Sequence, residues 1–163
     1  MNSLITPMSV SIFFVIIVVA FCFFKPQAAR IFLGFFFLTM ALAVNGSFTF
    51  GNPQAYLDYA NGALIPLYRT LVVNIVSISP FYFGLLVMGF EIAMGILILS
   101  KGKTVHYGLI GTMIFLFGMV PLDWLQLPWL GLIVGEMYLV SKTYQHSIID
   151  ILFKKRRMAD ASS

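Results

Sequence analysis

Apolar residues in this chain come in long unbroken runs. The longest, Phe81 to Lys103, holds a single acid, Glu91, and stops at Lys101-Gly102-Lys103. About twenty apolar residues in a row are enough for a helix to cross a bilayer. Similar runs cover Ser9 to Phe24, ended by Lys25-Pro26, and Ala28 or Arg30 to Val44, ended by Asn45-Gly46 as a C-cap pair would end it. Two more cover His106 to Val120 and Trp129 to Ser141. The pattern predicts an all-α membrane bundle of about five transmembrane helices over residues 1–141, with a basic amphipathic tail over 142–163.

Between the second and third runs the pattern is irregular. Asn52-Pro53 has the form of an N-cap with proline at the first helical position, and Asn61-Gly62 closes a short helix. Tyr56, Tyr59 and Tyr68 suit a membrane interface. Leu64 to Ser79 is apolar but interrupted by Pro66, Arg69 and Asn74, so it reads as an interfacial or re-entrant approach to the long helix. A sixth span there would put like-charged loops on opposite sides of the membrane. With five spans, Lys25, Arg30, Lys101, Lys103, Lys142 and the Lys154–Arg157 cluster share one side and Arg69 lies on the other. The positive-inside rule then places the N-terminus outside and the tail in the cytoplasm.

Composition narrows the class. The chain has 163 residues, 60% hydrophobic and 10% charged, far from the roughly one-quarter charged residues of soluble domains. Its net charge of +4 comes from basic residues beside apolar runs, which is membrane sidedness and not a nucleic-acid surface. A lone cysteine, Cys22, excludes an internal disulfide, a CxxC redox pair and a cysteine metal cage. His106 and His146 do not stand at metal-ligand spacing, so no metal is expected. The first run lacks a preceding cationic region and is expected to be a retained helix, not a cleaved signal peptide.

Glu91 is the sharpest candidate. At 100° per residue it falls within about 60° of Gly84, Met88 and Gly95, on a face suited to close packing. It lies about 15 Å from the headgroups, near the hydrocarbon midplane. Such an acid either locks helix packing or handles a ligand or protons. Glu136, about 9 Å from the boundary at Lys142, either lines the same cavity or pairs with Lys142. Arg30 is a topology determinant or a partner for Glu136. Asp58 and Arg69 are charges on the outer side, where a pair between them would be weak, and His106, Asp123 and Trp124 read as interfacial residues. Gly111 and Gly118, with Gly108, give one small-residue packing face, and Gly131 and Gly135 form a GxxxG pair.

Glu91-x3-Gly95, followed by Leu97, Ile98, Leu99 and by Gly102 with a basic residue after it, resembles the E-x3-G-L-x-L-L-x3-G signature of the DoxX-like superfamily. That superfamily includes the DoxX/DoxD, MauE and surfeit-type membrane proteins. Arg30-x3-Gly34, leading an apolar helix to Asn45-Gly46, is similar to its first helix. The likeness runs over about residues 28–121. It departs where Ser47 and Phe48 replace the basic residue expected after the helix-ending glycine, and where an extra helix precedes the match. The resemblance implies a small helical bundle of the bacterial inner membrane, linked to quinone or thiosulfate redox chemistry as the membrane partner of a soluble oxidoreductase. On that basis Arg30, Gly34, Glu91, Gly95 and Gly102 carry over.

Three functions follow as expectations. One is a DoxX-like membrane subunit with an apolar cavity near Glu91 for a quinone-like ligand. Another is a proton-coupled carrier using Glu91 and Glu136, acting as a homo-oligomer because five short helices enclose little volume. The third is an intramembrane isomerase using the same two acids.

Overall fold

The structure is a computed structural model that describes residues 2–151, with side chains from residue 7 onward. The tail beyond, with its expected Lys154–Arg157 cluster and Leu152, lies outside the described residues. The elements are α1 (Asn2–Phe24), α2 (Pro26–Thr39), a π-helical stretch (Met40–Asn45), α3 (Gly46–Gly51), α4 (Ala55–Asn61), α5 (Pro66–Ile78), α6 (Pro80–Leu99), α7 (Lys103–Met119) and α8 (Trp129–Val140). No strand occurs among the described residues.

Four helices are long and apolar enough to cross a membrane: Pro7–Phe24, Pro26–Gly51, Pro80–Leu99 and Lys103–Leu122. Only 17% to 33% of each is buried inside the protein, so most of their apolar surface faces outward. Ile16, Phe24, Leu86, Ile114 and Phe117 are among the large side chains on that outer surface, an arrangement that suits lipid and not water. The fifth predicted span, α8, is shorter at 12 residues, but it carries the chain back from the end of α7 to the end where α6 stops.

Lys25 and Pro26 make a one-residue break between α1 and α2, with proline at the first helical position. Asn45-Gly46 behaves differently from the C-cap expected there. The helix passes through it, the Gly46 N–H bonding the carbonyl of Ala41 five residues back, and continues to Gly51. Gly46 keeps an ordinary helical φ of −61°, so no left-handed stop forms. One wide turn absorbs the irregularity, and α2, the π stretch and α3 form one bent rod.

This rod packs antiparallel to α6 at a close crossing. A Cβ on Gly95 would lie 2.9 Å from the Gly34 carbonyl oxygen, and one on Gly34 would lie 2.6 Å from Leu99. Gly108 likewise meets the Ile98 backbone at 2.8 Å, while Gly131 and Gly135 face Val15 and Cys22 of α1. Gly111 lies under Met94. Gly118 has almost nothing near its α-carbon, and its carbonyl accepts the Tyr68 hydroxyl.

The bundle has chemically distinct ends. Lys25, Lys101, Lys103 and Lys142 gather where α1 gives way to α2, α6 to α7, and α8 to the C-terminal segment. Asp58, Arg69 and Asp123 lie at the other end. There α5, 13 residues long, is tied by Tyr68 to the last turn of α7 and ends beside the start of α6, so that both its ends lie at this end of the bundle. It therefore lies across that end, with Val76 buried against Tyr56 and Ala60 of α4.

Overpacking a crossing this tight costs about 1–3 kcal/mol. Gly95→Val is expected to lower the thermal unfolding midpoint of the detergent-purified protein. Gly89→Ala, where nothing lies within 4 Å of the new Cβ, is expected to leave the midpoint unchanged or raise it. Equal melting of the two variants would contradict the crossing.

Candidate functional site

Glu91 sits about 16 Å along α6 from Pro80, close to the middle of the bundle. It is 3% exposed. Its Oε2 accepts a 2.7 Å hydrogen bond from Asn45 Nδ2 at the end of the π stretch. Antiparallel packing makes this reach work, because side chains lean toward the N-terminus of their own helix and these two therefore lean toward each other. The Tyr56 hydroxyl of α4 lies 3.1 Å from both Asn45 Oδ1 and the Asn45 carbonyl oxygen, and 3.0 Å from Thr49 Oγ1. With Thr49 donating to Tyr56, Tyr56 to Asn45 and Asn45 to Glu91, each hydroxyl proton has an acceptor and the line ends on the carboxyl. Gly84 gives this network room, since a Cβ there would strike both Thr49 and the Tyr56 ring.

Beside the network is a cavity of about 290 Å³. Phe36, Phe37, Met40 and Val44 form one wall; Phe48, Tyr56, Tyr59 and Ala60 of α3 and α4 form another. Val72 and Val76 of α5 close the end, and Phe83, Val87, Phe115, Met119 and Trp129 complete the enclosure. Glu91, Asn45 and Gln126, the Tyr56 and Tyr59 hydroxyls and the Trp129 indole N–H are the polar groups of its lining residues, and among the described residues no Lys, Arg or His lines it. Tyr59 and Leu122 also border a groove of about 320 Å³ with Asp58, Gly62 and Asp123, so the cavity and this acidic groove adjoin. In chemical terms the site is an apolar, ring-walled chamber with one carboxyl–carboxamide pair.

Glu136 does not join it. Its side chain is fully buried between α8 and α7, where Oε2 accepts a 3.0 Å bond from Thr112 and Oε1 has no hydrogen-bond partner among the described residues. Of the two alternatives for Glu136, a shared cavity with Glu91 is not formed, since the cavity wall includes Glu91 and not Glu136. Lys142 lies 4.2 Å over the Tyr138 ring and not against Glu136. Met88 is half-buried opposite Gly46, outside the cavity wall. Arg69 donates to the Ala63 carbonyl at 2.7 Å and 3.1 Å, not to Asp58, and Asp123 caps the turn after it by accepting from the Leu125 N–H. Among the described residues no three His, Cys, Asp or Glu side chains are grouped to hold a metal ion.

Arg30 stands at the basic end of the bundle and does not pair with Glu136. It is fully buried, donates to the Ser100 carbonyl at 2.6 Å and the His146 carbonyl at 2.9 Å, and lies 4.7 Å from the centre of the Tyr144 ring. The guanidinium thereby satisfies a carbonyl left over at the end of α6 and holds the segment after α8 across the basic end of the bundle. Gly102 adds a bond from its N–H to the Tyr144 carbonyl at 2.7 Å, in a backbone conformation (φ +66°) that favours glycine. His106 lies 3.0 Å from the Lys142 carbonyl. Ser147 and Asp150 cap the following turn reciprocally at 3.0 Å and 3.1 Å. Those bonds, with Lys101 beside it, hold the Asp150 carboxyl below its usual range.

Asn45 and Tyr56, read from the sequence as a helix stop and an interfacial residue, are hydrogen-bonding side chains of the structure, as are Thr49 and Tyr144, which the sequence did not single out. The only signal for any of this was the S-x-x-D spacing of the 147–150 cap. No family model, curated protein or solved structure matches this chain. Among the described residues the protein is all-helical, with four helices long and apolar enough to span a membrane.

Two outcomes follow at the basic end. Arg30→Met is expected to increase hydrogen exchange of residues 141–151 at least tenfold, since hydrogen bonds from a charged group are worth about 1.5–3 kcal/mol each. Unchanged protection would sink the clasp. Burial pushes the Tyr144 hydroxyl up to about 12, against the opposing pull of Arg30. The folded form then holds its proton where the unfolded form, near 10, has lost it. Docking is therefore fully stable below pH 10 and weakens toward pH 12, and Tyr144→Phe should flatten that slope in exchange measurements.

Proposed function

We propose that this chain is a multi-pass membrane protein that holds a small lipophilic ligand in the Glu91 cavity, with the ligand's polar group against the Glu91–Asn45 pair. The observation that carries this is an apolar chamber near bundle mid-height with a carboxyl in its wall. Intramembrane ionisable groups are costly and typically mark ligand or proton pathways. A volume of about 290 Å³ is near the lower end for ligand pockets and matches roughly ten waters or one substituted ring.

The DoxX resemblance gives this reading its biological form: a subunit of the bacterial inner membrane that presents a quinone-like ring to a soluble oxidoreductase. Grouping of Lys25, Lys101, Lys103 and Lys142 at one end supports a cytoplasmic C-terminus and five crossings, with α8 as the short fifth. A carrier or isomerase that works Glu91 and Glu136 in one space has less support, because the cavity wall does not include Glu136.

The test is a titration of a short-chain benzoquinone into the purified protein, followed by Trp129 fluorescence. Saturable quenching is expected, and Ala60→Phe, which fills the chamber from α4, should abolish it. Linear, unsaturable quenching that is identical in the variant would point to partition into detergent and remove the proposal.

A further inference from the structure

The charge pattern around the chamber goes beyond its size. Glu91 is nearly sealed in protein and lines the cavity, yet Asn45 satisfies only Oε2; Oε1 accepts no hydrogen bond among the described residues. Among the described residues no basic side chain pairs with it. Arg30 is bound to carbonyls at the far end of the bundle, and Arg69, the cation at the near end, is turned to the Ala63 carbonyl. The side chains of Phe36, Phe48, Tyr59, Phe83 and Trp129 share the wall with Glu91, and Asp58 and Asp123 flank the adjoining groove.

An unanswered carboxyl inside aromatic walls is the chemistry that recognises an organic cation. Ring faces attract a quaternary or protonated amine, and a buried charge is stable only when paired. The two aspartates at the mouth add a field of the same sign, which draws cations toward it.

We propose that this cavity selects lipophilic monocations, an ammonium-type centre seated between Glu91 Oε1 and the surrounding rings, over neutral molecules of the same shape. This rests on the cavity being a ligand site and specifies which lipophilic ligands it holds tightest. A neutral ring fills the same volume but leaves the carboxyl without a counter-charge.

Benzyltrimethylammonium and neopentylbenzene test it, since they match in shape and differ by a cationic nitrogen in place of a carbon. Equilibrium binding is measured on the full chain in nanodiscs of zwitterionic lipid. The cation is expected to bind at least about tenfold more tightly. Glu91→Gln should erase that preference while leaving the neutral probe's affinity in place. Asp58→Asn with Asp123→Asn, both on the groove surface, should weaken the cation alone and flatten its salt dependence, and this variant carries the test if Glu91→Gln does not fold. Equal or tighter binding of the neutral probe, or a preference that survives Glu91→Gln, overturns the charge selection and leaves the cavity reading standing. Binding of neither probe, with benzoquinone also unbound, overturns both.

Discussion

The site depends on how closely α6 approaches the bent α2–α3 rod. Where Gly34 and Gly95 touch backbone to backbone, no side chain separates the helices, and one turn away the Glu91 carboxyl comes within reach of an asparagine. In a hydrocarbon surrounding no water is on hand to satisfy a carboxyl, so its partners must come from the protein. Asn45 is short, and a crossing wider by an ångström or two would leave both groups unsatisfied. Gly84 extends the same logic toward the end of the bundle, letting Thr49 and Tyr56 close behind Asn45.

The two ends solve the polar problem differently. At the basic end, a buried arginine binds carbonyls of α6 and of the segment after α8, so a cation staples three parts of the chain together with no carboxylate. At the other end, α4 and α5 cover the chamber with apolar side chains and tyrosines, leaving aspartates at the surface. One end is thus tied by hydrogen bonds to backbone, the other is packed around a void. That contrast places the chamber where the scaffold is most open.

Much of the helical layout was legible because lipid-exposed helices announce themselves as long apolar runs, and Lys25-Pro26 and Pro80 punctuate them. The stripe of Gly84, Met88, Glu91 and Gly95 was legible from helical spacing alone. Its partner was not. Asn45-Gly46 carries the residues of a helix stop, and only the i+5 hydrogen bond of Gly46 reveals that the helix continues. Periodicity also says nothing about which helices are neighbours, so whether Glu136 and Glu91 shared a space, or Arg30 met Glu136, was undecidable in sequence. Arg30 reaches residues 100 and 146, and no local pattern encodes such a distance.

The wide turn at Met40–Asn45 holds one residue more than an α-helix needs over the same rise. Removing a single residue there would rewind the rod to regular geometry over the same rise, turning the side chains within the stretch while leaving the helix beyond it in register. Asn45 would then point elsewhere while every helix remained in place. Presence or absence of one codon would thus separate chains that keep the chamber's polar wall from chains that keep only the scaffold.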